Sequence, residues 1–410
     1  MRSFPVSLAR MCGFLLLAAT FAGCSKKKMC SQSYSIYQPI FKSIQAVRAN
    51  VKSNAPQKIA KPGKLYIKGN FIFLNEIEKG IHIIDNTNPA IPQNIGFIDI
   101  PGNVDIAVKG NILYADLYSD LVTIDIGDPL HVVPKSFVDY AFPQRQYTNG
   151  VGGRNKDSII VDFTKRDTTV TYECINDAMP QVMVESAFIS YSPFGMGGSM
   201  ARFAIVNSTL YAVGLSDLSA FSISNPEQPV LSSKTNMTWL IETVFPFKDK
   251  LFVGSSSGIF IFDISNALSP TRLGQFSHMT ACDPVIADDK YAFVTLSSGS
   301  RCANVANQMD VLDITSLATP SLLKSYPLTN PHGLSEDGTT LFVCDGKDGL
   351  KVYDAGDVKA LKLLVNLKGF DSYDVIAYNK LAIVVAKDGL RQYDYSNLAD
   401  IKLLSNIGWE

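Results

Sequence analysis

Apolar strands that end in an aspartate recur along this chain. In GIHIIDNTNP, residues 80–89, an apolar segment ends at Asp85 and a polar turn closes on Pro89. The pattern returns at intervals of 40, 97, 41, 50, 41 and 40 residues, marked by Asp85, Asp125, Ser222, Asp263, Asp313, Asp354 and Asp394. A period near forty with four short strands per unit is typical of propeller blades, because a lone four-stranded sheet cannot bury both faces. We therefore predict an all-β, seven-bladed propeller of four-stranded antiparallel blades.

Each repeat divides into strands A to D, named from the central channel outward. In the second repeat these strands are predicted at residues 105–109, 112–115, 121–126 and 132–140. Gly110 and Asn111 favour a turn between A and B, and Asp128 and Pro129 favour one between C and D. Because residues 401–407 give the last repeat its own strand D, we predict that blades 7 and 1 meet without exchanging a strand.

An apolar stripe precedes the propeller, which we assign to residues 62–410. The spacing of Ile40, Ile44, Val47 and Val51 predicts one short helix over residues 36–51, docked on the propeller. Residues 25–61 are thus a spacer followed by this helix.

Two of the intervals between repeats are long. The interval of 97 holds an insertion at residues 141–199 between blades 2 and 3, and the interval of 50 lengthens the turn between strands B and C of blade 5 at residues 297–308. Both connections lie at the same end of an up-and-down blade, so both decorate one propeller face. The insertion contains an alternating hairpin at residues 159–163 and 168–172. It is interpreted as a lid over the channel mouth, with a degenerate eighth blade and a simple decoration as alternatives.

The N-terminus resembles a bacterial lipoprotein signal. Arg2 and Arg10 flank a basic start, and an apolar run over residues 11–22 is too short to span a bilayer. Residues 21–24, FAGC, resemble the lipoprotein box, which implies lipid attachment at Cys24 after removal of a signal peptide at residues 1–24; Phe21 departs from the usual Leu. An ordinary secretory signal is the alternative. Either way we expect the chain to leave the cytoplasm. With the lipid, we expect an outer-membrane protein of the cell envelope, on its periplasmic or outer side.

The repeats themselves are similar to a known family. GIHIIDNTNP, IPGNVDIAVKGNILYADLYSDLVTIDI, GGSMARFAIV and LFVCDGKDGLKVYD resemble the LVIVD-repeat proteins from about Pro62 to the C-terminus. Ser222 replaces the aspartate in blade 3, and the last two repeats lack the proline. The resemblance implies a propeller at the bacterial or archaeal cell surface and carries no established reaction.

Charge and cysteine usage narrow the function further. The net charge of −1 gives no electrostatic footprint for nucleic acid.

Besides Cys24, the mature chain would keep Cys30, Cys174, Cys282, Cys302 and Cys344. Cys282 precedes strand A of blade 5 and Cys302 lies in the enlarged turn of that blade, so we predict a disulfide between them, with two buried thiols as the alternative. No close Cys or His pair has the spacing of a zinc site.

Polar residues open strand A in each blade and therefore converge at the channel mouth. The candidate ligand-binding ring consists of Lys64, Asp105, Arg202, Glu242 beside Thr243, Asp283, His332 and Asp374. This ring could hold a polar ligand, or its opposite charges could satisfy one another.

A catalytic role for this ring is the competing interpretation. His332 could act as a general base or metal ligand, or be a hydrogen-bonded structural histidine. Asp105, Asp283, Asp374 and Glu242 could supply carboxylates to calcium, as in propeller hydrolases resembling lactonases, but Lys64 and Arg202 would repel a divalent ion.

The sequence therefore favours a lipid-anchored binding or scaffolding module over an enzyme. Its expected partner is an envelope protein or glycan at the decorated face, and we expect no cofactor, calcium being the one ion considered. A metal-dependent or His-assisted hydrolase is the alternative function, and a purely structural envelope component is the third.

Overall fold

The computed structural model describes residues 29–143, 146–147, 150–151, 153–173, 198–237, 240–277, 284–297 and 307–409. The chain forms two compact units. One comprises Met1–Pro39 with Phe163–Ala187, and the other comprises Ile40–Asp162 with Phe188–Glu410. The second unit holds seven four-stranded antiparallel blades, which confirms the predicted propeller.

The blades follow one another along the chain, each with strands A to D in sequence order. Blades 1 and 2 consist of Pro62–Lys68, Phe71–Glu76, Gly80–Asp85 and Gln93–Asp99, then Ile106–Lys109, Ile112–Leu117, Asp120–Asp125 and Val133–Val138. Blades 3 and 4 consist of Phe203–Val206, Thr209–Val213, Asp217–Ser222 and Val230–Asn236, then Ile241–Phe247, Lys250–Ser255, Gly258–Asp263 and Thr271–Ser277. Blade 5 consists of Val285–Ala287, Tyr291–Leu296, Gln308–Asp313 and Ser321–Pro327. Blades 6 and 7 consist of Leu334–Asp337, Thr340–Cys344, Leu350–Asp354 and Lys362–Leu367, then Ser372–Tyr378, Leu381–Ala386, Gly389–Asp394 and Lys402–Gly408.

The two propeller faces differ in which connections they carry. The mouth face carries the B-to-C turns, such as residues 345–349, and the connections from strand D to the next strand A. The turn face carries the A-to-B turns, such as residues 288–290, and the C-to-D turns, such as residues 355–361. Gly69 and Gly110 begin their A-to-B turns with φ of +57°, a conformation that glycine adopts at little cost.

The aspartate that ends strand C holds the turn that follows it. Oδ1 of Asp85 accepts a hydrogen bond from N of Thr87 at 2.9 Å. The same bond to the amide two residues on recurs at Asp125, Asp263, Asp313, Asp354 and Asp394. In blade 3, the Ser222 hydroxyl instead donates to the hydroxyl of Ser224. The recurring sequence mark is therefore an Asx turn, which explains why a short polar side chain is required there.

The core lies between neighbouring blades, where their apolar faces interleave. Phe73 and Ile83 of blade 1 share a cluster with Leu113 and Val122 of blade 2, and each is at most 1% exposed. Because each blade covers one face of the next, the alternating apolar pattern of every strand is satisfied.

The ring closes as the repeat pattern predicts. Strand D of blade 7 is the final strand of the chain, so no strand is exchanged. Leu65 and Leu74 of blade 1 pack in one cluster with Ile383 and Val385 of blade 7. A short additional strand, Lys52–Asn54, pairs with the outer strand of blade 1.

The helix predicted over residues 36–51 is wrong for most of its length. Met29–Ser43 form a strand, and the helical segment is Ile44–Arg48. The Ser43 hydroxyl accepts a hydrogen bond from N of Ala46 at 3.2 Å, so the helix begins only after this residue. Ile40 is 38% exposed, whereas Ile44, Val47 and Val51 are buried. The apolar spacing that is typical of a helix therefore continued, by coincidence, into residues that form a strand.

The hairpin predicted within the insertion is also wrong. Ser158–Glu173 form one continuous strand whose partner is Met29–Ser43. Along this pair, the hydroxyls of Ser33 and Thr169 lie 2.8 Å apart. The predicted tip, residues 164–167, lacks the Gly, Pro or Asn that favours a tight turn, so the segment stays extended. In the described part of the insertion the remaining sheet is a two-stranded pair, Gln146–Tyr147 with Gly150–Val151, and no four-stranded blade is present.

Candidate functional site

Three charged side chains from blades 1 to 3 form a buried network at the mouth end of the inner strands. Nζ of Lys64 forms a salt bridge with Oδ2 of Asp105, and N of Arg202 donates to the same oxygen at 2.7 Å. Nη2 of Arg202 donates to O of Ile241 in blade 4 at 2.7 Å. Lys64, Asp105 and Arg202 are 4%, 0% and 8% exposed. The structure thus brings these three ring residues together inside the protein, with the Lys64 ammonium paired to the Asp105 carboxylate and the Arg202 guanidinium bonded to a backbone carbonyl.

Asp374 lies near this network but is poorly paired. Its two carboxyl oxygens are buried without a hydrogen-bond partner among the described residues. Burial raises the pKa of Asp374 well above its usual range, and the amide of Val375 and the charge of Lys64 oppose this less strongly. A Cβ on Gly333 would lie 1.8 Å from Oδ1 of Asp374, so glycine is required where blade 6 approaches this carboxyl.

His332 is held by its neighbours in blades 5 to 7. Its N donates to O of Cys344 at 2.8 Å, and its O accepts from Oγ1 of Thr295 at 2.6 Å. Nε2 of His332 lies 3.0 Å from Nδ2 of Asn330, and the imidazole contacts the Tyr373 ring edge-on at 5.4 Å between centroids. Burial lowers the pKa of His332, against the opposing charges of Asp371 and Asp345. A neutral, packed imidazole with both backbone groups bonded has the features of a structural histidine.

The end of the insertion lies on the propeller axis. Gly198–Met200 form a single 3₁₀ turn that contacts the inner strands of blades 1, 4, 5, 6 and 7. Oγ of Ser199 accepts a hydrogen bond from N of Leu334 at 2.9 Å, and O of Ala201 accepts one from N of Val244 at 2.7 Å. Only the centre of the ring reaches five inner strands at once, so this turn fills the mouth end of the channel.

The beginning of the insertion is fixed on blade 2. Oδ1 of the buried Asp120 accepts hydrogen bonds from N of Tyr140 at 3.0 Å and from Nη1 of Arg154 at 2.6 Å. Oδ2 of Asp120 accepts from Nη2 of Arg48 at 2.6 Å. Two arginines and one backbone amide therefore attach residues 140–154 and the short helix to the B-to-C turn of blade 2.

The other predicted site residues are placed less closely or lie outside the described residues. Thr243 is buried and Glu242 is half-buried at the opening of blade 4. Asp283, Cys24, Cys282 and Cys302 lie outside the described residues, so the lipid site and the Cys282–Cys302 disulfide stay predictions. Cys30 is disulfide-bonded, and Cys344 is a buried free thiol whose pKa is raised by burial.

The described ranges hold neither of two other kinds of feature, a metal site and a membrane-spanning helix. They contain no group of three or more His, Cys, Asp or Glu side chains placed to hold a metal ion. They also contain no helix long and apolar enough to cross a membrane.

Comparison with known proteins identifies one repeat. Residues 102–139, which include all of blade 2, match the family model of the LVIVD repeat. The chain carries an LVIVD repeat. No curated protein matches the sequence.

Solved structures similar to the chain share its fold at low identity. The computationally designed Ika8 protein is 11% identical, covers 87% of this chain and 90% of its own, and has a TM-score of 0.53. A protein from Lactobacillus plantarum is 13% identical, covers 75% of this chain and 85% of its own, and has a TM-score of 0.52. At these identities the likeness shows the fold alone.

The LVIVD repeat contains the residues that orient Asp105. Oδ1 of Asp116 accepts from N of Val104 at 2.9 Å and from N of Asp105 at 2.7 Å, and also from Nδ2 of Asn103 at 3.0 Å. Nδ2 of Asn75 in blade 1 donates to Oδ1 of Asn103 at 2.6 Å. Asn75, Asn103 and Asp116 are fully buried. The mouth-end network therefore extends from blade 1 through the LVIVD repeat.

These three residues were missed in the sequence, although a signal was present. Asn75 and Asp116 both occupy the fifth position of strand B in their blades, where Val385 stands in blade 7. Comparing that position between blades, as was done for strand A, would have placed a polar pair beside the ring.

Proposed function

We propose that this protein is a binding or scaffolding propeller of the cell envelope, whose mouth face recognises a protein or glycan. The observation that carries the proposal is the anchoring of the insertion at both ends. Its start is hydrogen-bonded to Asp120 of blade 2. Its end lies in the channel, where Ser199 accepts a hydrogen bond from blade 6. Loops held on a rigid scaffold commonly carry recognition, since little ordering is required when the partner binds.

The inner network supports a scaffold better than a reaction centre. The Lys64 ammonium and the backbone amide of Arg202 both bond the Asp105 carboxylate, and all three residues are buried. His332 is held neutral by burial. These groups stabilise the centre of the ring, and recognition falls to the insertion and the B-to-C turns around it.

The location in the envelope is part of the same proposal. A lipid on Cys24 would hold the propeller at the outer membrane, and residues 25–28, SKKK, would act as a solvated spacer. Metabolic labelling with an alkyne fatty acid tests this attachment. The label is expected on the wild type and absent from Cys24→Ser, and equal labelling of both proteins would exclude the anchor at this residue.

Site-specific photo-crosslinking tests the recognition face. A benzophenone amino acid replaces Lys347, exposed on the mouth face, or Asn70, exposed on the turn face, as the matched control. We expect a discrete envelope protein or glycan to cross-link from position 347 and not from position 70. Replacing residues 144–197 by a Gly-Ser linker is expected to abolish the product. Equal products from both positions, or a product unaffected by the replacement, would contradict the proposed face.

The hydrolase alternative has its own test. Calcium at millimolar concentration should leave the Tm of the wild type unchanged, because Lys64 stands beside Asp105 and no described cluster suits a metal ion. A calcium-dependent rise in Tm that Asp374→Asn abolishes would favour the metal-dependent hydrolase instead.

A further inference from the structure

A groove opens between blades 5 and 6 on the turn face. It encloses about 300 Å³ and is lined by the A-to-B turn of blade 5 and both turns of blade 6. Its polar lining includes Asp288, Glu336, Asp357 and Lys359, and its apolar wall includes Tyr291 and Phe293. A volume of this size suits a small ligand or a single long side chain.

The carboxyl of Glu336 has no partner of its own. Among the described residues it makes no hydrogen bond or salt bridge, although it is half-buried. Burial raises the pKa of Glu336 to about 7, and the negative charge of Asp288 across the junction adds to the rise. Asp288 is fixed in place, because its Oδ1 accepts from N of Lys290 at 2.6 Å and from N of Tyr291 at 2.7 Å.

Four other blade junctions are bridged differently on this face. A lysine ammonium crosses each of them to an oxygen of the neighbouring blade, in the pairs Lys68–Asn111, Lys109–Ser208, Lys248–Asp289 and Lys380–Asp337. At the junction of blades 5 and 6, two carboxyls face each other instead. Lys359 also lines the groove, and its charge lowers the pKa of Asp313. A cation in this groove would occupy the place that lysine fills elsewhere.

We propose that the groove between blades 5 and 6 binds a primary ammonium group carried on a short carbon chain, such as an alkylamine or a lysine side chain. The ammonium would lie between Glu336 and Asp288, and the methylenes would pack on Tyr291 and Phe293. A divalent ion fits less well, because it prefers six or more oxygen ligands, and the three carboxylates that line the groove do not form a group that could hold a metal ion. This site is independent of the mouth-face proposal.

Isothermal titration calorimetry with n-butylammonium chloride at pH 8 tests the site, with 1-butanol as the neutral ligand of equal size. We expect the ammonium to bind and 1-butanol to bind at least tenfold more weakly. Glu336→Gln, which keeps the shape of the side chain, should weaken ammonium binding at least tenfold. Asp289→Asn is the matched control, because this neighbouring carboxyl pairs with Lys248, and it should leave binding unchanged.

The pH dependence provides a second readout. Glu336 gains a proton as the pH falls through about 7, so ammonium binding should be weaker at pH 6 than at pH 8. The charged groups that line the groove with Glu336 are Asp288 from blade 5 and Asp357 and Lys359 from the C-to-D turn of blade 6. Equal binding of 1-butanol, equal binding by Glu336→Gln, or binding of CaCl₂ in preference to the amine would each overturn the proposal.

Discussion

Asn86 of blade 1 and Gln392 of blade 7 exchange two hydrogen bonds where the ring closes. Nδ2 of Asn86 donates to Oε1 of Gln392 at 2.9 Å, and Nε2 of Gln392 donates to Oδ1 of Asn86 at 2.6 Å. Both residues are exceptions in the repeat. The position of Asn86 is held by Ile126, Ile223, Ile264, Ile314, Ala355 and Tyr395 in the other blades. That of Gln392 is apolar in most blades, as at Ile83. A polar pair of the half-buried Asn86 and the buried Gln392 favours closure of blade 7 on blade 1, since pairing either residue with an apolar neighbour leaves an amide without this partner.

Substitution of this pair should show strong coupling. Asn86→Ile or Gln392→Val alone leaves the other amide without its partner and should lower the free energy of unfolding by about 1–3 kcal/mol. The double variant should recover most of this loss, because it restores the apolar contact of the other junctions. Urea unfolding of the four proteins measures the coupling. Losses that simply add in the double variant would contradict a specific pairing.

Asp374 should make stability fall as the pH rises. Because its pKa is raised in the folded state, its carboxyl favours folding fully below the unfolded pKa, near 3.9, and this contribution is lost as the pH rises toward the folded value. Asp374→Asn removes the titration. The Tm of Asp374→Asn relative to the wild type should therefore be higher at pH 8 than at pH 4, with each unit of pKa shift corresponding to about 1.4 kcal/mol. A difference that does not depend on pH would show that Asp374 titrates normally.

The fold was predictable because the same short turn occurs in six of the seven blades. The hydrogen bond that Asp85 accepts from the amide of Thr87 requires a short acceptor side chain at the end of strand C. The repeat is therefore visible in a single sequence without an alignment. Blade 3 was also recognised, because its apolar strand and the proline after its turn are kept although Ser222 replaces the aspartate.

The parts that failed depend on distant partners. The strand containing Ser33 pairs with the strand containing Thr169, and no local signal shows such a long-range choice. The residues that open strand A lie at equivalent places in successive blades. Their alignment therefore predicted that Lys64, Asp105 and Arg202 are neighbours. Ser199 was missed because it comes from the insertion, which follows no repeat. Glu336 was missed because its significance comes from the carboxyl of Asp288 in the preceding blade.

The stability that the strand-C aspartates contribute should be lost as the pH falls, whereas that of Asp374 is lost as the pH rises. The hydrogen bond from N of Ser265 lowers the pKa of Asp263, so its contribution is present above the unfolded pKa and is lost as the pH falls through the folded value. Asp263→Asn can still accept this hydrogen bond but does not titrate, so it should reduce the loss of stability between pH 5 and pH 3. Asp263→Ala should be less stable than Asp263→Asn at pH 7. Thermal unfolding of both variants decides the point, and equal stability of the two would show that the turn does not need an acceptor.

Ser199 should stabilise the inner strand of blade 6 at the centre of the ring. Its hydroxyl is the acceptor for the buried amide of Leu334, so Ser199→Ala should lower the free energy of unfolding by about 1–3 kcal/mol and speed hydrogen exchange at that amide. Ser321→Ala, on the exposed outer strand of blade 5, is the matched control and should change neither. Hydrogen exchange measured by mass spectrometry on peptides covering residues 332–337 reads the effect directly. Unchanged protection of these peptides in Ser199→Ala would mean that the inner strand of blade 6 is stable without this hydrogen bond from the insertion. The turn at residues 198–200 would then not contribute to the stability of the mouth face.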